Sequence, residues 1–380
     1  MTIASITARA IDCGFQKQKL QTSRVASPMS RFPQFAEHRA SWMWPTKKVF
    51  VRVEDSDGLV GWSCTNGGEI VEMIVNAHLS RLLQGQDADD IDVAWDQMVA
   101  ALLPNDRSGF AMMAVAAIDI ALWDLRCARE GRSLIDLLGG SDVTHLRTYA
   151  TTPRPEALAG GGWHGLKAAA PFGPEAGPEG LTENIALMQR FAEAAGPEVP
   201  IMIDAFMAWD AEYTLQFAEA ARNLPLAWIE DPLPPNDIDG MARVRAEMDP
   251  ALPLALGNFA FSRADCAELM REGLVGILQP DVAWAGGITE ALRILEMADA
   301  ADTPVILHNS SEQPWALALA AACQTDPLVE FVDRGDTSPL YGLIAPRPAT
   351  QAGQTPVPRA GNRPFDLAGK AFSPTSLQGA

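Results

Sequence analysis

Short apolar runs recur through the second half of this chain, and most of them lead into a polar side chain. The run TYATT is followed by GLKAA, PIMID, LAWIE, LPLALG, VGILQP, PVILH and LVEFVD, eight in all. Between them lie amphipathic stretches such as AEYTLQFAEAARN and ITEALRILEMADAAD. Brief apolar runs with turn signals read as buried strands, and a helical period reads as helix. Asp204, Glu230, Asn258, Asp281, His308 and Glu330 succeed one another at similar intervals, each the length of one strand–helix unit. Eight such units predict a (β/α) barrel over residues 145–335, with a doubly wound sheet as the alternative. Residues 1–130 follow another pattern. MTIASITARAIDCGF reads as a strand, and KKVFVRVED and GLVGWSCT flank Ser56-Asp57-Gly58 as an antiparallel hairpin. Helical periodicity follows near residues 69–83 and 91–103, then in GFAMMAVAAIDIALWDLRCARE, which Gly131 stops. This order predicts a separate α+β domain. Residues 340–380, rich in Pro and Gly, have no periodicity and are expected to pack back on the molecule.

Composition narrows the class. Of 380 residues, 48% are apolar and 20% charged, ordinary for a globular protein with a large core. A net charge of −19, spread along the chain, argues against nucleic-acid binding. No run approaches the length of a membrane span, and the N-terminus has no apolar region of a secretory signal. Five scattered cysteines, Cys13, Cys64, Cys127, Cys266 and Cys323, fit a reduced cytosol and neither a disulfide framework nor a zinc cluster. The expected location is cytoplasmic and the expected assembly a homo-oligomer.

The strand ends carry the chemistry. One strand-end carboxylate is often only a helix cap. Six oxygen- or nitrogen-bearing ends on successive strands are different, because barrel closure aims them at one point. Converging carboxylates repel and raise one another's pKa values, and a divalent cation relieves this. Oxygen ligands without cysteine favour magnesium. Asp281 lies one strand from His308, near enough to bind one ring nitrogen and raise the basicity of the other. Glu330, if its site keeps it protonated, would donate a hydrogen bond to a substrate oxygen. Lys167, in HGLKAAAP, ends strand two and reads either as a catalytic group or as a surface lysine with its stem along the protein.

The stretches ALWDL, DAFMAWD, WIEDPLPP, LQPDVAWAGGIT and LHNSSEQPWA together resemble the enolase superfamily in its mandelate racemase branch, over nearly the whole chain. VASPMSRF, QPDVAWAGG and a histidine followed by Asn-Ser-Ser are similar to the L-rhamnonate-dehydratase-like acid-sugar dehydratases of that branch. The resemblance implies a capping domain over a barrel, with Asp204, Glu230 and Asn258 as magnesium ligands. It makes Asp281 and His308 a catalytic dyad and Glu330 an electrophilic helper. Loops of the capping domain would select the sugar acid, with Arg24, Arg39 and Trp42 as candidates there. An epimerase or racemase would need a second group on the opposite face, where Lys167 is the candidate. A sugar-acid-binding protein without turnover is the reading outside enzymes.

Three positions depart from that pattern. Asn258 stands where the third ligand is usually Glu or Asp, which leaves the site one charge less negative and opens it to a six-carbon diacid as well as a deoxy-aldonate. Arg24 stands where the rhamnonate enzymes have a histidine. The racemases' pair of lysines on strand two is reduced to Lys167, with Ala169 after it.

Overall fold

The structure, a computed structural model, describes residues 1–11, 24–35, 47–140, 142–333 and 349–357. Strands β1 (Ile3–Ile11), β2 (Lys48–Asp55) and β3 (Val60–Thr65) form an antiparallel sheet in the order β1-β2-β3. Asp55 makes the predicted hairpin turn, its Oδ1 accepting the Asp57 and Leu59 amides at 2.9 Å each. Alternate residues of β2, Val49, Val51 and Val53, are fully buried in one core with Val115, Ile118, Leu122 and Leu125 of the long helix Gly109–Glu130. That helix is apolar on nearly every side because it serves two partners, this sheet on one side and, through Ile120 and Cys127, a second core with Leu134, Val282 and Ile288 on the other.

The second sheet is parallel and curls in the order β10-β4-β5-β6-β7-β8-β9. Its strands are β4 (His145–Thr151), β5 (Leu166–Ala169), β6 (Ile201–Asp204), β7 (Leu226–Glu230), β8 (Leu254–Leu256), β9 (Ile277–Leu278) and β10 (Leu328–Val332). Strand β11 (Gln354–Pro356) joins β4 antiparallel, and of the expected tail only residues 349–357 are described. The predicted seventh strand is reduced to one bridge, Leu278 to Val305, extended by bonds from the Ile306 and His308 amides to Leu278 and Pro280 carbonyls. Pro280 and Pro304 explain the shortness, since neither can donate to a ladder. Across the seam to β10, hydrogen bonds among the described residues run through side chains: Glu330 N donates to Ser310 Oγ and Asn309 N to Glu330 Oε2, both at 2.8 Å. The result is the barrel predicted from the repeat, with helices outside.

Side-chain alternation builds the layers. Ile201 and Ile203 of β6 face outward into a core with Phe217 and Ile229, while Met202 faces inward with Tyr149, Trp228, Ala255 and Ile306. The inward set fills the barrel axis, so the next inward position on β6, Asp204, reaches the open end. No helix among the described residues is long and apolar enough to cross a membrane.

Side chains of the N-terminal α+β domain grip the segment between Asp281 and the helix Ile288–Ala300. Thr65 Oγ1 donates to the Ala283 carbonyl at 2.6 Å, Trp95 Nε1 to the Gly286 carbonyl at 2.7 Å and Trp123 Nε1 to Thr289 Oγ1 at 3.0 Å. Asp119, fully buried, accepts the Thr289 amide at 3.0 Å and so caps that helix from another element. Gly287 permits this approach: at φ 94 it lies in the left-handed region, and a Cβ there would stand 2.3 Å from Asp119 Oδ2.

Burial pushes the Asp119 carboxyl up to about 7 against the pull of the Thr289 donors. A carboxyl whose folded value exceeds its ordinary 3.8 holds its proton better in the folded state, so its contribution is present in acid and lost as pH rises towards 7. Asp119→Asn keeps an acceptor for Thr289 and removes the titration. Between pH 5 and pH 8 the unfolding free energy in urea should fall by about 2 kcal/mol less in the variant than in the parent. Parallel pH profiles would mean that this carboxylate stays ionised throughout.

Candidate active site

Asp204 and Glu230 are paired residues on neighbouring parallel strands, so their side chains leave the barrel side by side. Asn258 reaches the same place by a different route. β8 ends at Leu256, and Gly257 at φ 127 turns the chain under Gln279, whose amide nitrogen a Cβ would approach to 3.0 Å. Asn258 is therefore in the turn beyond the strand, 4% exposed, with its Oδ1 unpartnered.

Sequence reasoning missed one member. Asp231 follows Glu230 with φ 40, is 5% exposed, interacts with the Asn258 side chain, and has no partner for its Oδ2. Ligand atoms of Asp204, Glu230 and Asp231 all lie within 4.8 Å of one another. Burial, with Glu230 beside it, pushes the Asp204 carboxyl up to about 6, and burial with Glu230 and Asp204 raises Asp231 well above the usual range. Four oxygen-bearing side chains, excess negative charge and two orphaned buried oxygens form a donor set that fits a hard divalent cation.

Lys167 does not lie on the surface. It is 1% exposed and stands two residues before the end of β5, level with Met202 on β6, so it points into the barrel beneath Asp204. Its Nζ is 2.6 Å from Glu230 Oε1 and 2.9 Å from Glu330 Oε1. Burial alone would lower its pKa, but the two carboxylates outweigh it and hold Lys167 as a cation. Trp228 Nε1 and Gln279 Nε2 each donate to Glu230 Oε2 at 3.1 Å. These partners were legible in retrospect: Trp228 lies two residues before Glu230 and Gln279 two before Asp281, the inward period of a barrel strand.

The donor role drawn for Glu330 depends on a retained proton, and its surroundings favour the anion. Burial favours the acid, yet Lys167, His308 and the Thr151 hydroxyl at 2.5 Å bring its pKa down to about 2. Glu330 is an anion here. It lies mid-strand on β10, between Lys167 and the Asn309 amide.

His308 Nδ1 is 2.8 Å from Asp281 Oδ2. Asp281 also accepts from Gln313 Nε2 at 3.0 Å and from the Ala283 amide at 2.9 Å, so its carboxylate is fixed from three directions. Burial would lower the imidazole's pKa, but the Asp281 bond and charge raise it above 6.5. With Nδ1–H given to Asp281, Nε2 is the basic nitrogen, with Asn309 Nδ2 at 3.2 Å from it. Trp284 packs on His308 at 5.2 Å between ring centres, and Phe259 and Phe206 continue the aromatic wall. Phe206, Met207 and Asn309, like Asp231, have positive φ just beyond strand ends, a concentration of backbone strain around this mouth.

Arg24 reaches the same end of the barrel. Its Nε donates to the Pro171 carbonyl at 3.2 Å and its guanidinium lies 4.4 Å from the Phe172 ring centre, just past β5. Arg39 and Trp42 lie outside the described residues.

Comparison with known proteins shows the family and the fold. Residues 157–361 match the enolase C-terminal domain-like family, and residues 36–139 match the N-terminal domain of mandelate racemase / muconate lactonizing enzyme. L-rhamnonate dehydratase of Saccharopolyspora erythraea is 35% identical over 309 residues, 81% of this chain and 79% of that protein. The crystal structure of L-rhamnonate dehydratase from Gibberella zeae superposes with a TM-score of 0.88 at 28% identity, covering 96% of this chain and 93% of that one. A structure of the Gibberella zeae enzyme complexed with Mg gives the same score and identity, over 96% and 94%. The chain belongs to the mandelate racemase / muconate lactonizing enzyme family, with its enolase-type barrel.

Proposed function

We propose that this protein is a magnesium-dependent acid-sugar dehydratase, acting on L-rhamnonate or a related sugar acid. The observation that carries the reading is the meeting of two groups at one barrel mouth: the acidic cluster around Asp204 and Glu230, and the Asp281–His308 pair. The 35% identity to an L-rhamnonate dehydratase and the Mg named with a structural relative support it. We take residues 1–130 as the cap and 145–335 as the barrel of a cytosolic homo-oligomer.

The chemical problem is that a proton α to a carboxylate is barely acidic. Asp204, Glu230 and Asn258 would hold the cation, with Asp231 beside them. A bound magnesium would supply positive charge to offset the charge that develops on the substrate carboxylate. His308 Nε2 takes the α-proton, with Asp281 holding the ring and stabilising the imidazolium. The same imidazolium then returns a proton to the departing β-hydroxyl. Loss of water leaves an enol that becomes a 2-keto-3-deoxy acid. An epimerase would need an acid on the opposite face, and Lys167, buried between two carboxylates that hold its proton, is poorly suited to release one. Arg24, with Arg39 and Trp42, would face the sugar hydroxyls.

Chelation should abolish turnover and magnesium should restore it. A panel of mono- and diacid sugars assayed for 2-keto acid formation should give product from an aldonate of the rhamnonate type. Full turnover in metal-free protein, or no 2-keto acid from any member of the panel, would sink the reading.

A further inference from the structure

We infer that Asp231 supplies the third carboxylate of the cation site, replacing the charge that Asn258 lacks, while Asn258 contributes its amide oxygen. This rests on reading the cluster as a magnesium site, and it deepens that reading by fixing the site's charge.

Strand geometry makes Asp231 unexpected. Successive side chains on a strand face opposite ways, and Glu230 faces inward. An extended Asp231 would therefore face the outer helices. Instead φ is 40, a conformation that aspartate tolerates better than most residues, and the side chain returns to the mouth beside Glu230. The turn is held on both sides, by Asp231 N to the Ala255 carbonyl at 3.1 Å and Met207 N to the Asp231 carbonyl at 2.7 Å.

The placement lacks purpose without a cation. A buried carboxylate beside two others costs free energy. Asp231 Oδ2 and Asn258 Oδ1 are both unpartnered, in residues 5% and 4% exposed. The two side chains interact with each other, each keeps one oxygen unspent, and Asp231 stands beside the oxygens of Asp204 and Glu230.

The charge count changes accordingly. Asp204 and Glu230 alone would bring Mg²⁺ to neutrality. With Asp231 the sum is −1, as in a site built from three carboxylates. The opening to diacids that Asn258 offered is thereby closed, because the added negative charge repels a second substrate carboxylate. That charge count favours a sugar monoacid as substrate.

The competing role for Asp231 is to align the Asn258 amide and nothing more. Titration calorimetry with Mg²⁺, and with Mn²⁺ as a second probe, separates the two without any assay of turnover. Asp231→Asn should weaken magnesium binding by about 10-fold or more, the scale of one lost charge at a partly buried site. The decisive comparison is made in an Asn258→Leu background. A carboxylate acting by its own charge still costs about 10-fold there, whereas an aligning residue has nothing left to align and costs nothing. Metal-free Asp231→Asn should melt no lower than the parent, since it removes repulsion, and Asp231→Ser gives the same comparison should the first variant not fold. Binding within about twofold of the parent in Asp231→Asn overturns the assignment of Asp231 alone. A parent protein that binds neither cation overturns the magnesium reading and this inference together.

Discussion

His308→Asn should lower kcat/KM by about 10³-fold or more while leaving the fold and magnesium binding as they are. Asparagine fills much of the imidazole's space and keeps a polar group beside Asp281, but it cannot take a proton. Exchange of the substrate C2 proton in deuterated buffer isolates that step from water loss. It should drop to background in the variant, and exchange at the parent's rate would remove His308 from the role of base. The pH profile adds a second constraint. His308 must be unprotonated to act, and Asp281 raises its pKa above 6.5, so the acid limb of kcat/KM should lie above that value. Asp281→Asn keeps the hydrogen bond and removes the charge, which should move the limb downward. An unmoved limb would mean that another group sets it.

How much of this was legible beforehand follows from what each signal depends on. The barrel and the positions of Asp204, Glu230, Asp281 and His308 rest on a local signal, a short apolar run ending in a polar side chain. Repetition at similar intervals from Asp204 to Glu330 made that signal strong. Asp231 was missed because the alternation rule sends the residue after Glu230 outward, and the left-handed backbone that reverses it has no local signature at an aspartate. The seventh strand was expected in full, yet Pro280 and Pro304 leave a single bridge. Lys167 was left between two readings for another reason. Lysine is rarely buried, and the partners that make burial tolerable lie far along the chain, Glu230 on β7 and Glu330 on β10. Only barrel closure brings them together. The surroundings of Glu330 were hidden for the same reason, since a carboxylate that shares a buried lysine is held ionised.

Lys167→Met should be the most destabilising single change in the barrel. Methionine matches the length of the apolar stem, so the variant removes one charge and little volume. It leaves Glu230 and Glu330 buried near each other, with only neutral donors in place of the ammonium that stood 2.6 and 2.9 Å from their oxygens. Removing one partner of a buried ion pair costs about 3–5 kcal/mol, because the remaining charge stays desolvated. In chelator at pH 7.5, where no cation can substitute for the ammonium, the unfolding free energy in urea should fall by that amount. The pH dependence identifies the cause. In the parent, Glu330 has its pKa depressed from 4.5 to about 2, so its stabilising contribution is present above pH 4.5 and lost as pH falls towards 2. Without Lys167 the sign reverses: burial and the neighbouring carboxylate raise the Glu330 pKa, and acid relieves the variant by letting that carboxyl protonate. The gap between parent and variant should therefore narrow from pH 7.5 to pH 4.5. Lys167→Arg, which keeps the charge but forces a larger group into a filled barrel, should lose stability by a nearly constant amount across that range. A loss below about 1 kcal/mol at pH 7.5 in the Met variant, or a gap that does not change with pH, would show that the ammonium is not what permits these two carboxylates to be buried.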